Sequence, residues 1–356
     1  MFYFCDVNIH EKYMLRCIQL GKKGLGTAAP NPMVGCVVVH KNKIIGEGFT
    51  SPYGGAHAEV NAINSVKDKE LLSMAALYVS LEPCSHFGKT PPCTNLIIEH
   101  KIPEVFIGLQ DPHDKVSGKG IEKLKASGCE VTIGVLEKEC RIHHKRFLSL
   151  QEKKRPYLIL KWAETQDGFI APNTKARKKT PEPVWITNTY SKQLVHKWRS
   201  EEQAILVGTN TILEDNPKLT VRSWEGKHPT RVILDKDLKI PSGFHVLDKS
   251  IQTIVFTQIA DSSKYMDGID YELIDFSAPI GKQICSTLYK HSITSLFIEG
   301  GSKTLQTFIN EGLWDEARVF KGSTNFKSGI TSPKISGELL ETKPILSDTL
   351  SIFIND

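Results

Sequence analysis

The triplet His57-Ala58-Glu59, followed by Pro83-Cys84 and then Cys93, constrains this chain more than any other feature. One histidine and two cysteines are zinc donors. Three protein ligands leave the fourth tetrahedral position open, as a catalytic zinc needs and a structural zinc does not. That position takes a water whose pKa the metal lowers to roughly 7. Glu59 is not a ligand in this arrangement and is free to carry protons. A structural zinc would need a fourth ligand, and His86 is the only nearby candidate. Both halves of the motif fall at expected helix starts. Cys84 follows a strand, and Cys93 precedes Thr94, an N-cap candidate. The positive end of a helix dipole favours thiolate over thiol.

A non-ligand glutamate beside a histidine and two cysteines is the layout of zinc nucleobase deaminases. Many of these carry Pro-Cys-x-x-Cys. Here eight residues lie between the two cysteines. The longer loop brings His86 and Lys89 within reach of a substrate beside the metal, and Pro91 and Pro92 stiffen it.

At 356 residues the chain has room for two domains, and 40% hydrophobic with 24% charged residues describe an ordinary globular protein. A net charge of +5 without a basic or acidic tail does not indicate nucleic acid as the main partner. The cluster Lys175 to Lys179 reads as a solvated loop. The start, Met1 to Asp6, lacks the basic region and long apolar core of a signal peptide, and no apolar run is long enough to span a membrane. Eight cysteines dispersed over a long chain fit a reducing cytoplasm better than a disulfide framework. A homo-oligomer is left open.

Helices are expected over Glu11–Leu20, His57–Val66, Thr94–Lys101, Gly120–Ala126 and Glu137–Leu150. Strands are expected at Val34–Val39, Ile44–Phe49, Ala76–Leu81, Val105–Leu109 and Val131–Val135. The charged stretch from Gln151 to Pro156 separates a first domain, 1–150, from a second, 156–356. There, strands are expected at Tyr157–Trp162, Ala204–Val207, Arg231–Leu234, Thr253–Phe256 and Ser295–Ile298. Helices are expected at Thr189–Ser200, Ile280–Tyr289 and Lys303–Glu311. The alternation argues for α/β layers with helices on both faces.

Gly24-x-Gly26-x-x-Ala29 is not a dinucleotide fingerprint, because a helix precedes it and Pro30 follows. Glu299-Gly300-Gly301-Ser302 follows an apolar strand and opens a helix. It is either a phosphate-binding turn or a plain strand-to-helix connection. Arg199 and Arg222 flank the Asp215-Asn216-Pro217 turn, either as surface cations or as a phosphate clamp.

The string Cys84-Ser85-His86-Phe87-Gly88-Lys89-Thr90-Pro91-Pro92-Cys93, with Pro30-Asn31-Pro32 and Val34-Gly35 upstream and Gln110-Asp111-Pro112 downstream, resembles the deaminase half of the bifunctional riboflavin-biosynthesis deaminase/reductases. The stretches Lys161–Gly168, Trp185–Thr187, Arg199–Thr211, Asp215–Arg222 and Glu299–Gly301 resemble the reductase half, so the resemblance covers nearly the whole chain in order. It implies an α/β protein: a cytidine-deaminase-like three-layer domain followed by a dihydrofolate-reductase-like domain. The first would hydrolytically deaminate 2,5-diamino-6-(ribosylamino)-4(3H)-pyrimidinone 5′-phosphate. The second would use NADPH to reduce ribosyl to ribityl, giving 5-amino-6-(ribitylamino)uracil 5′-phosphate.

The same resemblance implies that His57, Cys84 and Cys93 hold one zinc and that Glu59 moves protons. Asn31, His86, Lys89 and Asp111 would bind substrate in the first site. Glu164, Trp185, Thr211, Asp215, Gly301, Ser302, Lys303 and Thr304 would line the nicotinamide cofactor. Arg199, Leu219, Arg222 and Glu299 would hold the second substrate, with the arginines on its phosphate. Three positions depart from the family's pattern: Thr50 where histidine is common, Pro183 in place of a serine, and Glu164 where a small or apolar residue is usual. The alternative is a nucleoside or tRNA deaminase with an appended non-catalytic domain. The long cysteine spacer and the reductase motifs speak against it.

Overall fold

The computed structural model describes residues 8–87, 91–112, 117–173 and 181–355. The chain divides into two compact units, Met1–Lys154 and Arg155–Asp356. Lys89 and the cluster Lys175 to Lys179 lie outside the described residues. No helix among the described residues is long and apolar enough to cross a membrane.

The first unit is built on five strands: β1 (Gly35–His40), β2 (Lys43–Phe49), β3 (Ala76–Val79), β4 (Glu104–Ile107) and β5 (Glu130–Ile133). Their order is β2-β1-β3-β4-β5. β1 runs antiparallel to both neighbours, while β3, β4 and β5 are parallel. β1 is the apolar run Cys36-Val37-Val38-Val39, buried throughout, as a central strand covered on both faces requires. α1 (Ile9–Gly21) turns Tyr13, Met14, Cys17 and Ile18 into the core, and the Asn8 side chain caps it by accepting from the His10 amide.

α2 (Ala58–Ser65) lies so close on β2 that a Cβ at Gly48 would strike the backbone of Ala58 and Ala62. This close approach sets where His57 and Glu59 stand. α3 (Cys93–Glu99) and α4 (Lys119–Ala126) complete the layer that carries the site.

The single helix expected over Glu137–Leu150 is instead two, α5 (Glu137–His143) and α6 (Lys145–Glu152). The break falls where two histidines are drawn inward. His143 Nε2 sits 2.6 Å from the Met33 carbonyl, and His144 Nε2 sits 3.1 Å from Ser80 Oγ.

Among the described residues the second unit holds a nine-stranded sheet in the order β11-β10-β9-β8-β12-β6-β13-β16-β15. Its strands are β6 (Tyr157–Glu164), β8 (Ala204–Gly208), β9 (Thr230–Leu234), β10 (Thr253–Thr257), β11 (Asp270–Leu273), β12 (Ser295–Gly300), β13 (Glu316–Lys321), β15 (Glu338–Ile345) and β16 (Asp348–Ile354). β7 (Phe169–Pro172) and β14 (Gly329–Thr331) form a separate ribbon. All pairings in the large sheet are parallel except those of β16. The helices are α7 (Thr189–Glu201), α8 (Thr209–Asp215), α9 (Ile280–Lys290) and α10 (Ser302–Asn310).

The stretch between Gly208 and the Asp215-Asn216-Pro217 turn, for which no element was expected, is the short helix α8. It stops where Asn216 turns left-handed, at φ 40°. β13 escapes the apolar pattern because charged residues face inward. Glu316 and Arg318 are both buried, and Arg318 Nε donates to Glu316 at 2.6 Å.

Candidate active sites

Three parts of the first unit converge on one point. His57 is the N-cap residue of α2, Cys93 is the first residue of α3, and Cys84 follows the end of β3. His57 Nδ1 lies 3.6 Å from Cys84 Sγ and 3.4 Å from Cys93 Sγ. The three ligand atoms lie within 4.8 Å of one another. A tetrahedral zinc with bonds of about 2.0–2.3 Å needs donors at about this spacing, so the donor set fits the metal. His86 is exposed and does not join the cluster. The position left for a fourth ligand is therefore not filled by protein among the described residues.

The scaffold around this point is specific. The Thr94 amide and hydroxyl both donate to the Cys84 carbonyl at 3.2 Å, tying the start of α3 to the preceding ligand. Asn61 Nδ2 donates to the Phe49 carbonyl at 2.8 Å and to Ser51 Oγ at 3.0 Å, fixing α2 to the loop before it. Hydrogen bonding from Cys93 and His57 pulls the Cys84 thiol down to about 4, whereas Cys84 pushes Cys93 well above the usual thiol range. Two adjacent thiols resist losing both protons, and a cation between them removes that resistance. Hydrogen bonding to Cys84 raises His57 to about 8. Glu59 is 4% exposed, and burial raises its carboxyl to about 7, within the range suited to proton transfer.

The other residues expected here are placed less tightly. Asn31 is half-buried in the turn that its own amide closes onto the Ala28 carbonyl. Asp111 is buried, and its backbone amide is held by Glu82 at 3.2 Å. The atypical Thr50 accepts from the Val34 amide at 3.1 Å, so it braces the loop after Asn31.

In the second unit a cleft of about 950 Å³ opens at the carboxyl ends of β6, β8, β9 and β12, where open parallel sheets bind ligands. Trp185, Thr211, Asp215, Gly301, Ser302, Lys303, Thr304, Arg199, Leu219, Arg222 and Glu299 all line it, as does the atypical Pro183. Glu164 does not line the cleft. Its carboxylate accepts from the indole of Trp162 at 3.1 Å. An acidic residue is tolerated there because its charge is turned to a neighbouring donor on the same strand face.

The two arginines are not equivalent. Arg199 is bidentate to Glu299 at 2.6 and 2.7 Å and donates to the Thr220 carbonyl at 3.1 Å. Burial opposes ionisation of Glu299, but Arg199 and Lys161 hold its carboxyl at about 2. Arg222 is exposed, and its guanidinium has one long contact, 3.4 Å to Thr220 Oγ1. Two further groups were not singled out from sequence. Burial lowers the Lys161 ammonium, with Glu299 opposing and Arg199 reinforcing the shift. Burial, with Arg199 and Arg222, lowers His196 to about 4. His196 Nδ1 accepts from the Arg222 amide at 3.3 Å. Spacing was the available signal, since Lys192, His196 and Arg199 share one helical face of α7 and all reach the cleft.

Gly301 is the N-cap residue of α10. A Cβ there would stand 3.0 Å from Thr211 Oγ1, a tight approach that would crowd that hydroxyl. A helix N-terminus of this kind can receive an anion, so the residues present are compatible with a nicotinamide nucleotide.

Residues 7–109 match the model of the cytidine and deoxycytidylate deaminase zinc-binding region, and residues 156–325 match the RibD C-terminal domain. The riboflavin biosynthesis protein RibD of Aquifex aeolicus is 39% identical over 93% of this chain and 88% of its own length. That of Escherichia coli is 30% identical over 87% and 86%. The crystal structure of a diaminohydroxyphosphoribosylaminopyrimidine deaminase/5-amino-6-(5-phosphoribosylamino)uracil reductase from Thermotoga maritima superposes with a TM-score of 0.88 at 38% identity. It covers 98% of this chain and 99% of that one. Both halves match in one continuous alignment, which disfavours a nucleoside or tRNA deaminase with an idle second domain. A zinc-binding deaminase unit followed by an NADPH-dependent reductase unit places the chain in the RibD family of bifunctional riboflavin-biosynthesis enzymes.

Proposed function

We propose that this enzyme deaminates 2,5-diamino-6-(ribosylamino)-4(3H)-pyrimidinone 5′-phosphate and then reduces the ribosyl chain, giving 5-amino-6-(ribitylamino)uracil 5′-phosphate. The observation that carries the reading is the cluster of His57, Cys84 and Cys93, with buried Glu59 beside it and no protein fourth ligand among the described residues. His57, Cys84 and Cys93 hold the metal. Zinc, when bound, supplies a Lewis acid that makes water nucleophilic at neutral pH. Glu59 would take one proton from the attacking water and deliver it to the ring nitrogen, then take the second from the hydroxyl so added and deliver it to the departing amine, which leaves as ammonia as the C–N bond breaks and the carbonyl forms. Asn31, His86, Lys89 and Asp111 hold the pyrimidine and its ribosyl phosphate.

In the second site NADPH, when bound, supplies the hydride that converts ribosyl to ribityl. Gly301 to Thr304, with Trp185, Thr211 and Asp215, would hold it. We exclude Glu164 from this set. Leu219 and Glu299 face the sugar, and Lys161 beside Glu299 provides the accompanying proton. Arg222 takes the substrate phosphate, while Arg199 fixes Glu299. We draw the functional boundary within residues 151–155 and place the enzyme in the cytoplasm, with a small phosphorylated pyrimidine as its partner.

Addition of the diaminopyrimidinone phosphate to purified enzyme should release ammonia, followed by NADPH oxidation. Oxidation without ammonia would reject the deaminase half, and ammonia without oxidation would reject the reductase half. Metal analysis tests the ligand set. Cys84→Ser should lose most zinc and His86→Ala should keep it; equal loss in both would make the centre a four-ligand structural site.

A further inference from the structure

Glu82 sits two residues before the ligand Cys84, at the end of the segment that leaves β3. It is 4% exposed, and among the described residues its carboxylate has no cationic partner. Among the described residues it is satisfied instead by four backbone amides. Oε2 accepts from Asp111 at 3.2 Å and from Gly118 at 3.1 Å. Oε1 accepts from Gly120 at 2.9 Å and from Ile121 at 3.3 Å. Its own amide donates to the Leu109 carbonyl at 2.9 Å. A buried carboxylate held only by N–H groups has little freedom to move, since each lost donor leaves it under-solvated. At the other end, a Cβ on Gly120 would strike the Pro83 carbonyl, so the start of α4 lies directly against the peptide that precedes Cys84.

From this we infer that Glu82 is a positioning residue for deamination: it locks Asp111 and the first turn of α4 to the segment that delivers a metal ligand, so that substrate contacts and metal keep one spacing. Proline at position 83 removes an amide and stiffens this connection. The inference rests on the proposed deaminase reading, in which Asp111 faces the substrate. Glu82 touches neither substrate nor metal and acts through the backbone of the residues it holds.

The test is Glu82→Gln in the full chain. An amide side chain keeps one acceptor oxygen and gains a donor, so whichever way it flips, one pair of amides loses its acceptor. Zinc content should stay at one per chain, and reduction of the already deaminated intermediate should be normal. The KM for the diaminopyrimidinone phosphate in ammonia release should rise about tenfold to a hundredfold, with kcat changing less. Glu82→Asp, which keeps the charge, should lie between wild type and Glu82→Gln. An unchanged KM, or loss of kcat in proportion to lost zinc, would overturn the inference. If Glu82→Gln fails to fold, Gly120→Ala applies the same displacement with the carboxylate intact, and a normal KM there would overturn it equally. No ammonia from the wild-type enzyme would instead remove the proposed function and this inference with it. Normal wild-type turnover with an unaffected Glu82→Gln removes the inference alone.

Discussion

The two sites of this chain are built on opposite plans. The first gathers three ligand atoms within 4.8 Å, each at a helix start or strand end. The second spreads its contacts over β6, β8, β9, β12, α7, α8, α10 and the loops between them. A metal centre needs few groups, and their chemistry is peculiar to their residue types, so each member has one plausible job. A nucleotide-and-sugar cleft uses common residues. What each does depends on which neighbour already occupies it. Arg199 and Arg222 are the same residue on the same cleft wall, yet one is consumed by Glu299 and the other is nearly free.

The sharpest way to break this comparison is Glu59→Gln. The amide keeps the shape but cannot accept and return a proton, so deamination should fall by about 10²–10⁴-fold. Zinc should remain, and the reductase should work on the deaminated intermediate. Kinetics with each substrate in turn check this. Loss of both activities in a folded, zinc-loaded variant would show that the two sites are coupled.

Acid should act next, through the buried histidines of both units. His143 is buried and held down to about 4 by desolvation, and burial likewise lowers its neighbour His144. Both histidines bind protons more readily when unfolded. Their stabilising effect is therefore complete above about pH 6.5 and is lost as pH falls through the folded values. For His143 this is on the order of 3 kcal/mol. In the second unit, His196 has the same sign, and the Glu299–Arg199 pair holds until pH falls from about 4.5 towards about 2. Melting followed between pH 4 and 7 should show a steep fall in midpoint that His143→Asn reduces. An identical slope in that variant would remove the histidine from the account.

Smaller is the effect of Arg222→Ala. A charge-assisted contact to phosphate is worth about 1.5–3 kcal/mol, so the phosphorylated substrate should weaken by roughly ten- to a hundredfold. The dephosphorylated analogue should change little, and equal losses for both would deny Arg222 a phosphate role. Smallest of all is Glu164→Gln. The carboxylate accepts from Trp162, which lines the cleft, but does not line it itself, so the KM for NADPH should stay within about threefold. A larger shift, measured by initial rates, would return Glu164 to the cofactor site.

The expected elements that hold are those with strong patterns, such as β1, β6, β12 and α9. The ones that go unseen have physical reasons. β13 places Glu316 and Arg318 inside because Arg318 pairs with Glu316 and lies over the Trp198 ring, 4.6 Å from its centroid, which defeats a rule that keeps charge outside. α8 is only seven residues long and takes its stop from a left-handed asparagine. The α5–α6 break is decided by a carbonyl at Met33 and a hydroxyl at Ser80, both distant in sequence.

Residue identity and spacing alone singled out His57, Cys84 and Cys93 as candidate metal donors and Glu59 as a glutamate left free, because zinc and proton transfer accept few side-chain types, while the order of the two halves came from the family resemblance. Tertiary structure alone decided that His86 stays out of the cluster, that Glu164 turns to an indole, that Arg199 is spent on Glu299, and that Glu82 grips Asp111 and α4 through their amides. Each of these depends on whether a particular donor meets a particular acceptor. For Arg199 and Glu82 that is settled by distances of a few ångströms between residues far apart in the chain, and for His86 and Glu164 by which way a side chain turns, and neither composition nor local periodicity carries either.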